Sequence, residues 1–288
     1  MNKRSFGATC AVALNYTLLI IAAVVTLFPF IYVVSVSLTT EAEVLRRGVV
    51  IIPEKFTLEA YRIVFSGLGI KQAYIITLFR TIVGTTLNLV FTAIAAYVLS
   101  KKALPGRSGF LMIIVFTMLF SGGLIPTYIL IKSLGLINSV WSLILPGLIS
   151  VFNLIVMKTF FEQLPPELEE SARVDGAGEL TALWKIVIPL SIPSFATIGL
   201  FYAVQHWNSY FDAIMYINKP ELMPIQVVLR NILLRSQYSS SEVMSDEPVS
   251  IIAIQMAAVI VSTVPILCVY PLIQKHFTKG VMVGSVKG

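Results

Sequence analysis

A chain of 288 residues with 57% hydrophobic and only 12% charged residues is too apolar for a soluble domain, where about a quarter of residues carry charge. Its net charge of +6 reads as basic loops gathered on one membrane face, not as a nucleic-acid footprint. The two cysteines, Cys10 and Cys268, lie in or beside apolar runs, which excludes a disulfide framework and a zinc site.

Lys3 and Arg4 precede a charge-free run over residues 11–37. The run is too long for the core of a cleaved signal peptide and lacks a small-residue cleavage site, so it is expected to be a retained span. Five more charge-free stretches follow, at 81–99, 109–131, 140–157, 186–203 and 249–273. Each is long enough to cross a hydrocarbon core of about 30 Å, and only helices satisfy their own backbone there. The sequence therefore predicts an all-α polytopic membrane protein: one transmembrane domain over 1–288 with six transmembrane helices. Pro126, Pro146, Pro193 and Pro265 fall in or near the spans, where kinks are expected.

Short loops set the orientation. Lys101, Lys102 and Arg107 crowd the second connection, and Lys275, Lys279 and Lys287 follow the last span. The positive-inside rule then places both termini in the cytoplasm. The connections 38–80 and 205–248 become external. Within the first, Leu58 to Phe65 carries apolar residues at helical spacing, which predicts a surface helix capping the bundle.

The connection at 161–185 is cytoplasmic on this reading and has its own order. Pro166 suits a first helical turn. Glu167, Glu169 and Glu170 sit at the positive end of the helix dipole. Leu168 and Ala172 share a face, Ser171 and Ala172 are small, and Asp175-Gly176 ends the helix with a residue that accepts the left-handed conformation. A second short helix at about 179–184 leads into the fifth span. Carboxylates of this kind would be expensive in lipid, so the segment is displayed to something soluble. Helix, turn and second helix joined to a span form a part able to pass a push into the bilayer; spacing alone leaves an ordinary solvated loop equally open.

The residue pattern resembles the signature of bacterial ABC-importer permeases. Glu170-Ser171-Ala172, then three residues, Gly176, nine residues, and Ile186-Val187-Ile188-Pro189 match it in spacing, with Ser171 for the usual alanine and Ile188 for the usual leucine. Ala95-Ala96-Tyr97, Pro105-Gly106-Arg107 and Trp207-Asn208 are similar to the carbohydrate-uptake permeases. The tail at 280–288, ending Lys287-Gly288, is similar to that of maltose-type partner permeases. Phe120 to Tyr128 and the polar stretch 236–247 resemble a subgroup for complex oligosaccharides such as alginate or pectin fragments.

This resemblance implies the type I ABC-importer permease fold in a bacterial inner membrane. It implies a second homologous permease, two cytosolic ATPase subunits that bind the ATP and Mg, and an extracytoplasmic sugar-binding protein. No cofactor and no metal is expected in this chain, and no catalytic residue. Glu169, Glu170, Ser171, Ala172, Asp175, Gly176, Ala177, Ile186 and Pro189 would form the ATPase-coupling element, and Lys287 and Gly288 an ATPase-contacting tail. The loop 205–248 would reach toward the binding protein.

Polar groups inside or at the ends of spans are candidates for the substrate pathway: Asn88, Tyr97, Asn153, Tyr202 and Gln255. Interhelical hydrogen bonding is the plainer role for each. His206 and His276 sit at span ends, where a structural role is expected. Two other classes compete. An ion-coupled secondary transporter of a small polar solute generally carries ionisable residues at membrane depth, and the six cores carry none. An intramembrane enzyme would need a motif such as HExxH or GxSxG, and the sequence has neither, nor a P-loop of its own.

Overall fold

Helices that are apolar all round cannot bury one face and wet the other, so lipid rather than a water-facing side has to receive them. The computed structural model describes residues 6–67, 69–239 and 250–284. In chain order the helices are α1 (Phe6–Ser37), α2 (Glu41–Arg47), α3 (Glu59–Gly67), α4 (Ile70–Ser100), α5 (Arg107–Leu119), α6 (Leu124–Ser133), α7 (Val151–Phe161), α8 (Glu167–Val174), α9 (Glu179–Ala182), α10 (Ile188–Leu190), α11 (Ile192–Asn208), α12 (Phe211–Tyr216), α13 (Ile225–Ser239) and α14 (Ile251–Gly284). Short 3-10 turns at Val140–Leu143 and Leu145–Gly147 precede α7. No strand forms among the described residues.

Three apolar segments are individually long enough to cross a membrane: Val12–Ser37, Ile70–Ser100 and Ile251–Val269. Three more candidates are bent pairs: α5 with α6 at 109°, Val140–Gly147 with α7 at 51°, and Glu179–Leu190 with α11 at 86°. The breaks have local causes. Between α5 and α6 the chain passes Gly122-Gly123, with Gly123 at φ +89°, so the bend precedes Pro126 and does not fall on it. Between α10 and α11 it passes Ser191, flanked by Pro189 and Pro193, neither of which supplies a helical N–H. Pro265 lies inside α14 without ending it. Leu14, Ile20, Val24 and Phe30 of α1 are all exposed, a surface no soluble protein would present.

The chain divides into two compact units, Met1–Ile70 with Leu229–Thr263 and Lys71–Val228 with Val264–Gly288. In the first, Val36, Val44 and Val50 form a small core backed by Tyr32 and Met256. α3 is the surface helix expected from the spacing; α2 was not anticipated. Glu43 of α2 is buried and organises the loop that follows. It accepts from Thr39 Oγ1 (2.8 Å), Arg47 Nη1 (2.9 Å) and the N–H groups of Glu54 (2.9 Å) and Lys55 (3.4 Å). Burial alone would raise its pKa; the donors from Glu54, Thr39, Lys55 and Arg47 outweigh it and hold the carboxyl down at about 2.

The second unit holds the larger core, where α4, α7 and α11 meet. Ala93 and Ala96 let α4 approach closely, and Leu154, Met157, Phe161, Leu183, Val187, Ile198 and Tyr202 fill the contact. α4 starts eleven residues before the expected span, because Arg80 does not mark a water boundary. It is 3% exposed and ion-paired to Asp212, and it also donates to Leu143 O (3.2 Å) and Ser209 O (3.3 Å).

Candidate functional site

α8 begins one residue after Pro166, which sits at the N-cap with φ −62°. Its end is a Schellman closure: Ala177 N–H donates to Ala172 O (2.9 Å) and Gly176 N–H to Arg173 O (3.0 Å). Gly176 has φ +83°, a conformation an L side chain resists. α9 follows and passes without interruption through a π turn at Leu183–Val187 into α10. The wider turn accommodates Pro189, whose ring would otherwise press on the carbonyl four residues back. So the expected helix, turn and second helix are present and run into the segment leading to α11.

α8 has no buried residue. Leu168 and Val174 are exposed apolar groups on it, as are Leu180 and Trp184 on the following arm, with Val174 at 88%. Glu170, Ser171, Asp175 and Gly176 are exposed, Ala172 and Ala177 half-buried. Ser171 Oγ donates to Leu168 O at 3.2 Å. Ile186 is half-buried and Pro189 exposed.

Behind this exposed face the hairpin is tied to the end of α4. Tyr97 Oη lies 2.7 Å from Glu179 Oε2 and 3.2 Å from Glu169 Oε2. One hydroxyl proton serves one carboxylate at a time, and Lys101 provides for Glu169 through an ion pair. The Lys101 ammonium also stands 3.9 Å over the Tyr97 ring, a cation–π contact. Arg173 reaches back to Glu179 at 2.6 Å, closing the two arms of the hairpin on each other. Beside it, Glu162 at the end of α7 pairs with Lys158 (2.8 Å) and with Arg107, whose Nε donates to Leu99 O (2.7 Å). Both arms and the ends of α4, α5 and α7 are thus stitched by charge at one edge of the bundle.

Sequence reasoning placed Glu169 on this element but set Tyr97 among the pathway groups, used Lys101 for orientation, and used Arg107 for orientation and for the family resemblance. Glu179 was not singled out. The partners lie 68 to 82 residues apart, and the only local signal was a cluster of basic residues next to a tyrosine at a span end.

The remaining pathway candidates lie elsewhere. Asn88 is fully buried; its Nδ2 donates to Gly147 O and Leu148 O (2.8 Å each), and its Oδ1 meets His206 Nε2 at 2.7 Å. The His206 ring rests directly on Gly84: a Cβ there would stand 2.5 Å from Nε2, so the close approach requires glycine. Tyr202 Oη bonds Thr92 Oγ1 (2.8 Å) and accepts from Ser150 N–H (2.9 Å). Asn153 is buried on α7. Gln255 Nε2 donates to Leu233 O at 3.3 Å. Lys287 and Gly288 lie outside the described residues. No cluster of potential metal ligands occurs among the described residues.

An all-helical membrane chain with a solvent-displayed helical hairpin defines the class, and the comparisons specify it. The chain belongs to the family described as the binding-protein-dependent transport system inner membrane component, whose model matches residues 85–283. It is 47% identical over 278 residues to the polygalacturonan/rhamnogalacturonan transport system permease protein YtcP of Bacillus subtilis, covering 96% of this chain and 97% of that one. Protein LplC of the same organism is 46% identical over 266 residues, covering 92% and 90%. In a crystal structure of a bacterial ABC transporter involved in the import of the acidic polysaccharide alginate, one chain superposes with a TM-score of 0.88 at 33% identity, covering 96% of this chain and all of that one. The fold is that of a type I ABC-importer permease, and the protein is a membrane-embedded permease subunit that works with a separate ATPase and a binding protein. The relative YtcP is a transport permease, not an enzyme, and the comparisons lend no support to ion-coupled transport.

Proposed function

We propose that this permease imports an acidic oligosaccharide of the pectin type, delivered by an extracytoplasmic binding protein. The named cargoes of the relative at 47% identity and of the transporter superposing at TM-score 0.88 are both acidic polysaccharides, and that agreement favours a uronate-rich sugar over a neutral one. The working assembly is a heterodimer with a second homologous permease above two cytosolic ATPase subunits, which bind the ATP and Mg. The chain acts as one permease domain with six spans and cytoplasmic termini, the three bent pairs each counting as one span, and the loop 205–248 faces the binding protein.

The observation that carries the mechanism is the exposed hairpin at 161–185. Its outer face presents Glu170, Ser171, Ala172 and Val174 to a soluble partner, while Glu169 and Glu179 hold its inner face to α4. A nucleotide-driven change in the ATPase pair moves α8. The closed turn at Gly176 and the continuous run from α9 into α10 pass that movement on, through Ile186 and Pro189, toward α11. Differential contact with the ATPase in its two states supplies the free energy for switching. Lys287 and Gly288 add a second contact to the ATPase.

Placement of the hairpin is testable by labelling. In a chain carrying Val174→Cys with Cys10→Ser and Cys268→Ser, a membrane-impermeant maleimide should leave intact cells unlabelled and should label inside-out vesicles once the ATPase is stripped. Labelling on intact cells would overturn the proposed function's cytoplasmic docking surface.

A further inference from the structure

A cavity of about 460 Å³ opens between the end of α4, the turn after it and the two arms of the hairpin, a size usual for sites that hold small molecules. Ile94 and Val98 form its wall on α4, and Leu180 and Leu183 its wall on the second arm. Among the described residues, three cations, Lys101, Lys102 and Arg173, line it against one carboxylate, Glu179.

The apolar and cationic groups are ordered along the helix. Ile94, Val98 and Lys101 recur at helical spacing, so one face of α4 and the residue after it passes from apolar to cationic over about 10 Å. Ile94 and Val98 are exposed and belong to the apolar span Ile70–Ser100. Ile94 lies about 9 Å inside the end of that span, a depth where lipid or another membrane helix is the neighbour and a soluble protein is not. Lys101 pairs with Glu169, and Arg173 gives Nε and Nη2 to Glu179 Oε1. Arg173 Nη1 has no hydrogen bond among the described residues, and the exposed Lys102 has neither an ion pair nor a hydrogen bond there. A membrane helix would cover the apolar wall and leave these two donors unanswered. An amphiphile with a tail and an anionic head answers both halves of the cavity. Basic pockets between spanning helices recognise lipid headgroups in this way.

We propose that this cavity holds one anionic phospholipid, its phosphate on Lys102 and Arg173 and an acyl chain along Ile94 and Val98. Lys101 and Arg173 also hold Glu169 and Glu179, so the headgroup sits on the ties that fasten the hairpin to α4, and those ties respond to membrane charge.

The test counts lipid on the complete detergent-purified transporter by native mass spectrometry, in micelles doped with equal phosphatidylglycerol and phosphatidylcholine. Wild type should retain phosphatidylglycerol over phosphatidylcholine by about tenfold, and Lys102→Gln should weaken that retention by about fivefold. Val98→Trp, which fills the apolar part of the cavity from an exposed position, should weaken it as well. The same spectra report subunit assembly, so a variant that fails to fold is recognised and a second exposed position, Ile94→Trp, replaces it. Equal retention of the two lipids by wild type, or none, would refute the site. So would wild-type retention in both assembled variants, which places the lipid elsewhere, and release of phosphatidylglycerol by an equal concentration of glycerol phosphate, which makes free phosphate the ligand.

Discussion

Past the middle of α4, Asn88 and Thr92 meet the 147–150 segment and α11 through neutral hydrogen bonds, with carbonyls, a hydroxyl and an imidazole as partners. At its C-terminal end, the Tyr97 hydroxyl and the Lys101 ammonium meet the carboxylates of Glu179 and Glu169. Neutral bonds survive desolvation cheaply and fix one arrangement. Ion pairs at a wet edge contribute little net stability and exchange readily for other partners. The same helix is therefore clamped by neutral bonds past its middle and tethered by charged groups at its C-terminal end. Inside the bundle the ties go largely to backbone; at the hairpin they run between side chains that an incoming partner can displace.

That contrast is sharpest where substitution removes the clamp. Asn88→Leu strands two carbonyls and His206, and the permease should lose about 2–3 kcal/mol of stability, read as a clear fall in the melting temperature of the detergent-purified transporter. A change within error would mean that the buried bonds do not clamp α4. Tyr97→Phe, on the tethered end, should cost under about 1 kcal/mol, yet lower sugar imported per ATP by about twofold to threefold, since Glu179 loses its tie to α4. A large stability loss with unchanged coupling would reverse the comparison.

The smallest effect concerns the fixed loop after α2. Its carboxyl at Glu43 is held at about 2 in the folded chain against an ordinary value of 4.5. A depressed folded pKa contributes stability that is complete above about pH 4.5 and is lost as pH falls toward 2. Thermal melts of wild type and Glu43→Gln should therefore differ most above that window and converge through it. Curves that stay parallel down to pH 2 would show that the hydrogen bonds at Glu43 do not hold the loop.

Much of the hairpin was legible in the sequence because its determinants are local. A proline, three acidic residues and Asp175-Gly176 within one short stretch specify a helix start, its dipole and its left-handed stop. The clamp and the tether were not legible, because their partners lie far apart in the chain: Asn88 and His206 by 118 residues, Tyr97 and Glu179 by 82. Arg80 shows a further limit. Counting charge-free residues ended the second span at that arginine, whereas Asp212, 132 residues away, allows it to be buried within α4. The bend before α6 likewise followed Gly122-Gly123 instead of Pro126, since a glycine pair relaxes the backbone while a proline in the first helical turn is tolerated.

The most direct measurement is Gly176→Pro in the reconstituted transporter, followed by simultaneous counting of ATP hydrolysed and sugar imported. Proline fixes φ near −65° and is incompatible with the +83° that closes the hairpin. The account predicts that ATP turnover no longer responds to loaded binding protein and that import per ATP collapses, while the permease still reaches the membrane. Wild-type import with wild-type stimulation in that variant would contradict it.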